Sequence, residues 1–234
     1  MASLLRIFVI SLLLSIVPEV QAHKIYPSLQ TKTVLIYSTP PCTKRMVPTY
    51  NDIHEAKATY YNLGLDTSFK TIFFIVNADT SFDNMFLNTD LMNPYILGIT
   101  YFKDGKKVQL SAVKTPFFSG KDLYRSIVIH EIGHEALAYN DKQGILTKRF
   151  HEGFCRLIEN NSVNVITPNP RVDPELLISW LCIDGDVSAE DYELGSEALQ
   201  QLSGNRPEFF RHLFNYIQAG ETLHDALLDS YNQR

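Results

Sequence analysis

The chain lacks several features that would each place it in a well-defined class of protein. Its 21 lysines and arginines are outnumbered by 26 acidic residues, and the resulting formal charge of −5 argues against a nucleic-acid partner. No internal repeat, low-complexity tract or long linker interrupts it, so the chain is predicted to form one domain with its own core. Cysteine is scarce, and none of the three, Cys42, Cys155 and Cys182, has zinc-knuckle spacing. Two arrangements therefore remain open: one disulfide plus a free thiol, or three buried thiols.

A long apolar run is also missing. Ile7–Val17 is too short for a comfortable membrane span, but it follows the short positive start Met1–Arg6 and precedes the small-residue cleavage pattern Val20–Ala22. We therefore predict that residues 1–22 are a signal peptide and that the mature protein is secreted or periplasmic, with no stable membrane span. An uncleaved anchor is the alternative.

The most informative stretch that is present is His130-Glu131-Ile132-Gly133-His134. Three intervening residues put the two imidazoles one turn apart on the same face of a helix, where they can clamp a single tetrahedral Zn²⁺. Glu131 projects about 100° round the helix, where it can take a proton from a water molecule on the metal. Residues 123–137 carry apolar side chains on both faces of the predicted helix, which indicates that the helix is buried. An unpaired polar group costs about 1–3 kcal/mol there, and zinc would supply the missing partners.

A third protein ligand is expected further along the chain. Leu137 and Asn140 stand where a metzincin would have glycine and histidine, so that class is excluded. Glu152, eighteen residues after His134, lies on a second predicted helix, and the turn at residues 140–144 would direct it back at the histidines.

Two alternatives to Glu152 as a ligand remain open. Glu152 and Glu159 fall opposite the apolar stripe of their helix, where a surface helix would carry solvated charge. The third position could also be filled by His151 or by water alone.

The segment His130–His134 followed by His151-Glu152-Gly153-Phe154 resembles the gluzincins, the metallopeptidases that bind zinc through two histidines and a downstream glutamate. The spacing is close to that of the aminopeptidase branch, and Glu159 matches a second acidic residue of those enzymes. His151 replaces their usual asparagine, and their Gly-Ala-Met-Glu-Asn-type strand is absent. The pattern covers roughly residues 95–231 and is strong over 123–160.

The resemblance implies an α+β, zincin-like fold with a strand-rich N-terminal subdomain, residues 23–140, and a helical C-terminal subdomain, residues 141–234. Hydrophobic patterning independently predicts several elements. They are strands at Thr33–Tyr37 and Thr71–Val76, a helix at Tyr50–Leu63, a hairpin from Tyr95–Phe102 to Lys107–Leu110 with an Asp104-Gly105 turn, and helices opened by Ser188, opened by Pro207 and spanning Thr222–Tyr231. In gluzincins the strand ahead of the zinc helix binds an extended peptide, and Gly98–Tyr101 is the corresponding segment here, with an ordinary hairpin as the alternative.

Tyr192 is the residue that small gluzincins would place opposite the metal, where a phenol donates a hydrogen bond to the oxyanion. A purely structural tyrosine is the alternative, and His212 or His224 could serve instead by analogy with thermolysin-type members.

Together these observations predict a secreted zinc metallopeptidase acting on a peptide or protein substrate. His130, His134 and Glu152 would bind Zn²⁺, Glu131 would act as general base and Tyr192 would stabilise the oxyanion. The missing exopeptidase strand weakly favours an endopeptidase or a peptidase of narrow specificity. The alternatives are a zinc-binding domain without turnover and a non-peptide hydrolase on the same metal site. Asn160-Asn161-Ser162 is a glycosylation sequon, which matters only in a eukaryotic host.

Overall fold

The structure is a computed structural model that describes residues 28–77, 98–103, 106–115, 121–161 and 172–233. The predicted signal peptide, residues 95–97 and the Asp104-Gly105 turn of the predicted hairpin, and Ser162 of the sequon lie outside these ranges.

The described residues contain a five-stranded mixed sheet in the order β1-β2-β3-β5-β4. The pairs β2-β3 and β3-β5 are parallel, whereas β1-β2 and β4-β5 are antiparallel. β4 is therefore an edge strand among the described residues. The strands are β1 (Ser28–Gln30), β2 (Val34–Ser38), β3 (Thr71–Asn77), β4 (Gly98–Lys103) and β5 (Lys106–Thr115).

Seven α-helices accompany the sheet in the described part of the chain, so the molecule is a mixed α+β protein. They are α1 (Met46–Asn62), α2 (Lys121–Asn140), α3 (Lys148–Asn161), α4 (Pro174–Leu181), α5 (Ala189–Ser203), α6 (Pro207–Ala219) and α7 (Leu223–Asn232).

The strands and helices predicted from patterning are present, with differences at their ends. α1 begins at Met46 rather than Tyr50, after a 3₁₀ turn over Pro40–Arg45. β1 and α4 were not predicted, because three and eight residues are too few for a hydrophobic period to show.

Helix ends follow the local chemistry of the sequence. Ser188 and Asp191 form the predicted capping box at the start of α5, in which the hydroxyl of Ser188 accepts from the backbone N–H of Asp191. Gly220 ends α6 with φ of 101°, a left-handed conformation that glycine adopts without steric cost. These signals fix where the C-terminal helices begin and end.

Helix α2, which carries the His-Glu-Ile-Gly-His motif, packs against the sheet at β4 and β5 and against α1 and α3. Gly133 permits α1 and α3 to approach α2 closely. A Cβ at Gly133 would lie 2.7 Å from the Sγ of Cys155 on α3 and closer still to the hydroxyl of Tyr60 on α1. The buried Tyr60 donates a hydrogen bond of 3.0 Å to the backbone carbonyl of Ile129. The motif helix is thus held from both sides.

The buried carboxyl group of Glu135 ties α2 to the sheet. Glu135 is fully buried, and it accepts hydrogen bonds from the hydroxyl of Thr71 on β3, at 2.8 Å, and from that of Ser111 on β5, at 2.6 Å. Burial raises the pKa of Glu135 to about 8, although the two hydroxyl hydrogen bonds and the nearby Lys57 oppose the increase. Ser111 is also the β5 partner of Thr100 on the edge strand, so this network links the motif helix to the edge of the sheet.

The Glu135 network predicts a loss of stability when the carboxyl group is removed. Glu135→Ala should lower the free energy of unfolding by about 2–4 kcal/mol, because it leaves two buried hydroxyls without their acceptor and opens a cavity. Glu135→Gln keeps the shape and can both accept and donate, so its loss should stay below about 1 kcal/mol. Urea unfolding of the metal-free variants measures both values. An alanine variant as stable as the parent would contradict the anchoring role.

Candidate metal centre

The two helices that carry the predicted ligands are joined by a tight connection. Asp141 follows the end of α2, and its carboxylate accepts hydrogen bonds from the backbone N–H groups of Ile145 and Leu146, each at 3.0 Å. Gly144 has φ of 68°, in the left-handed region. This turn returns the chain so that α3 packs on α2, as the sequence predicted.

The packing of α2 on α3 brings three donor atoms together. The Nε2 atoms of His130 and His134 are 3.1 Å apart, and the Oε2 atom of Glu152 lies 3.3 Å from the first and 3.4 Å from the second. Ligand atoms on a tetrahedral zinc ion, with bonds of about 2.0–2.2 Å, are about 3.3–3.6 Å apart. The spacing and the donor types therefore fit a zinc ion held by these three residues.

Glu152 is not a solvated surface charge, since its side chain is only 13% exposed and lies against both histidines. His151 takes a different position: its ring stacks on that of His134, with centroids 5.9 Å apart and planes inclined by 12°. Burial lowers the pKa of His151 to about 4, and His134 contributes to the decrease. The structure thus directs Glu152, rather than His151, towards the two Nε2 atoms.

The outer nitrogen of each motif histidine also has a neighbour. The Nδ1 atom of His130 lies 3.2 Å from the carboxylate of Glu159, and the Nδ1 atom of His134 lies 3.7 Å from the Sγ of Cys155. A partner at Nδ1 fixes the orientation of the ring, which directs Nε2 towards the other donor atoms. Cys155 thus packs directly beside the donor cluster.

The electrostatics of the cluster favour positive charge at its centre. Burial alone would lower the pKa of His130, but hydrogen bonds to Glu152 and Glu159 outweigh it and raise that pKa to about 10. The two histidines also hold the pKa of Glu152 below its usual range in spite of burial. The carboxylates thus stabilise a cation among these side chains, which is a second way in which the residues suit a metal ion.

Glu131 lies beside the donor cluster on the same helix. It is only 5% exposed, and its charge acts on His130 and on Tyr192. A carboxylate next to the candidate donor atoms, and not among them, is the arrangement that a general base requires.

Tyr192 approaches the site because α5 lies unusually close to α3. A Cβ on Gly153 would lie 2.6 Å from the carbonyl carbon of Gly195, so only two glycines allow this crossing. Burial, together with the charges of Glu152 and Glu131, raises the pKa of Tyr192 to about 12. The phenol is therefore protonated at neutral pH and able to donate a hydrogen bond.

The two histidines considered in place of Tyr192 lie on other helices. His224, on α7, makes an ion-pair contact of 3.3 Å with Glu175 on α4, and His212 lies on α6.

Three residues that support the site were not predicted from the sequence. Glu135, Arg156 and Gly195 act through contacts with residues far away in the chain, and only the glutamate gave a local signal, as a charged residue in a buried helix. Among the described residues none of the three cysteines forms a disulfide; Cys42 and Cys155 are buried and Cys182 is half-buried.

In comparisons with known proteins, the chain matches no protein-family model and no curated protein. Of the helices in the described part of the chain, none combines the length and apolar character that crossing a bilayer requires.

The donor cluster predicts one zinc ion per chain. Changing His130, His134 or Glu152 to alanine should weaken zinc binding by at least about a hundredfold, because each change removes a bond to the metal. His151→Ala is the matched control, and its dissociation constant should stay within a few-fold of the parent's. Competition with a zinc chelator measures all four. If His151→Ala lost zinc while Glu152→Ala kept it, the third ligand would have been assigned wrongly.

Proposed function

We propose that the protein is a secreted zinc-dependent peptidase of the gluzincin kind, with a zincin-like domain. The observation that carries the proposal is the donor cluster of His130, His134 and Glu152 beside the buried carboxylate of Glu131. Secretion is proposed from the signal-peptide pattern of residues 1–22.

The proposed reaction assigns a separate task to each side chain. A zinc ion, when bound, would lower the pKa of a water molecule towards neutrality and polarise the scissile carbonyl. Glu131 takes the proton from the attacking water and then passes it to the leaving amine. Its burial keeps bulk water from competing for that proton. The phenol of Tyr192 donates a hydrogen bond to the oxyanion as the carbonyl carbon becomes tetrahedral.

A peptide substrate is supported by the position of β4. Gly98–Lys103 forms an edge of the sheet among the described residues, and α2 packs against this strand and its neighbour β5. An extended peptide that pairs with β4 through main-chain hydrogen bonds would lie beside the helix that carries Glu131. This arrangement favours a peptide over the smaller substrates of a non-peptide hydrolase.

Replacing the base tests the reaction directly. Glu131→Gln should keep zinc and fold but lose nearly all hydrolysis, since an amide cannot accept the proton from water. Cleavage of a peptide library by the parent and the variant, each with its zinc content measured, gives the comparison. Activity of the variant within about tenfold of the parent would exclude Glu131 as the base. A parent that binds zinc and cleaves no peptide would favour a binding domain or another hydrolase.

The role of Tyr192 can be separated from a structural one by comparison with a second tyrosine. Tyr192→Phe should lower kcat about a hundredfold with little change in KM or stability, because only the transition state uses its hydroxyl. Tyr124→Phe removes a buried hydrogen bond of 2.8 Å to Thr49, so it should lower the melting temperature and leave kcat near the parent's. Tyr192 is structural instead if its variant behaves like that of Tyr124.

A further inference from the structure

The turn of α5 that carries Tyr192 is held to α3 on both sides of that residue. Asp191 lies 3.6 Å from the Nε atom of Arg149, and Glu193 accepts a hydrogen bond of 2.8 Å from the Nε atom of Arg156. Arg149 and Arg156 are seven residues apart and thus lie two turns apart along one side of α3. The two ion pairs therefore flank Tyr192.

The contact between the glycines lies between these two ion pairs along α3. Gly153 touches Gly195 with no side chain between the helices, which sets how closely α5 can approach. Ion pairs on either side then limit how far α5 can rotate or slide on α3. Since Glu152 precedes Gly153, any such movement would change the position of Tyr192 relative to the donor cluster.

Arg156 differs from Arg149 because it is also linked, through Glu159, to the proposed metal ligand His130. Its Nη1 atom lies 3.1 Å from Oε1 of Glu159, whose Oε2 atom lies 3.2 Å from Nδ1 of His130. A continuous chain of polar contacts therefore runs from Glu193 on α5 through Arg156 and Glu159 to His130 on α2. The planar guanidinium suits this task, because its fork can hold two carboxylates at fixed angles, whereas a lysine ammonium cannot.

We propose that Arg156 is a positioning residue that couples the metal ligand His130 to the helix of Tyr192. Through Glu159 it holds the His130 ring in its metal-binding orientation, and through Glu193 it holds the first turns of α5 on α3. Its side chain is 32% exposed, so these ion pairs add little to stability and their effect is on geometry. The part that concerns Tyr192 rests on the proposed function, whereas the part that concerns zinc does not require hydrolysis.

Zinc affinity tests the first contact. Arg156→Gln should weaken zinc binding about tenfold in chelator competition, the scale typical of lost support around a metal ligand. Glu193→Gln is the matched control, because it breaks the pair with α5 and leaves the contact between Arg156 and Glu159; its zinc affinity should stay within about twofold of the parent's. Arg156→Lys keeps the charge without the fork, so its zinc affinity should lie between those of Arg156→Gln and Glu193→Gln. Equal affinity of Arg156→Gln and the parent would overturn the proposal.

Kinetics of the zinc-loaded protein test the second contact. Arg156→Gln and Glu193→Gln should both lower kcat with little change in KM, and the loss from Glu193→Gln should disappear in a Tyr192→Phe background, since both changes act on one hydrogen bond. Fully additive losses would overturn the coupling to Tyr192. Zinc binding that depends on Arg156 in a protein that cleaves no peptide would support the link to His130 while removing the proposed function. A parent that binds no zinc would overturn both.

Discussion

The contact between the carboxylate of Glu152 and the imidazoles of His130 and His134 is the interaction on which the arrangement of this molecule depends. Ionisable side chains in a largely buried position are costly unless a shared proton or a cation compensates them. The surrounding residues reinforce that compensation, because Glu159 adds negative charge beside His130 and Arg156 balances it from outside. We interpret the helix pair α2 and α3 as a cation-binding unit around which the rest is packed.

That unit requires helices to approach one another more closely than most side chains allow. Gly133 makes room for Tyr60 and Cys155, and Gly153 with Gly195 brings α5 onto α3. Close approach at glycines converts small shifts of a helix into shifts of the side chains beside them, so the polar anchors at Glu135 and Arg156 are needed to fix each helix in register. Close packing and polar anchoring together determine where the donor atoms of His130, His134 and Glu152 point.

The sequence predicted the parts of this arrangement that depend on local order. Two histidines four residues apart lie on one face of any helix, and the capping box at Ser188 requires only its own turn. The contacts of Glu135 with Thr71 and Ser111 depend on how α2 lies across the sheet, and the contact of Arg156 with Glu193 spans 37 residues. Neither follows from hydrophobic periodicity, because periodicity specifies which face is buried but not what covers it.

Anomalous diffraction from zinc-loaded crystals, recorded at the zinc absorption edge, tests the central claim most directly. Our account predicts one strong peak, from a zinc ion about 2.0–2.2 Å from Nε2 of His130, Nε2 of His134 and a carboxylate oxygen of Glu152. Glu131 should lie beside the peak without bonding to it. A peak bonded to His151 or to the thiol of Cys155 in place of Glu152, or no peak between α2 and α3, would contradict it.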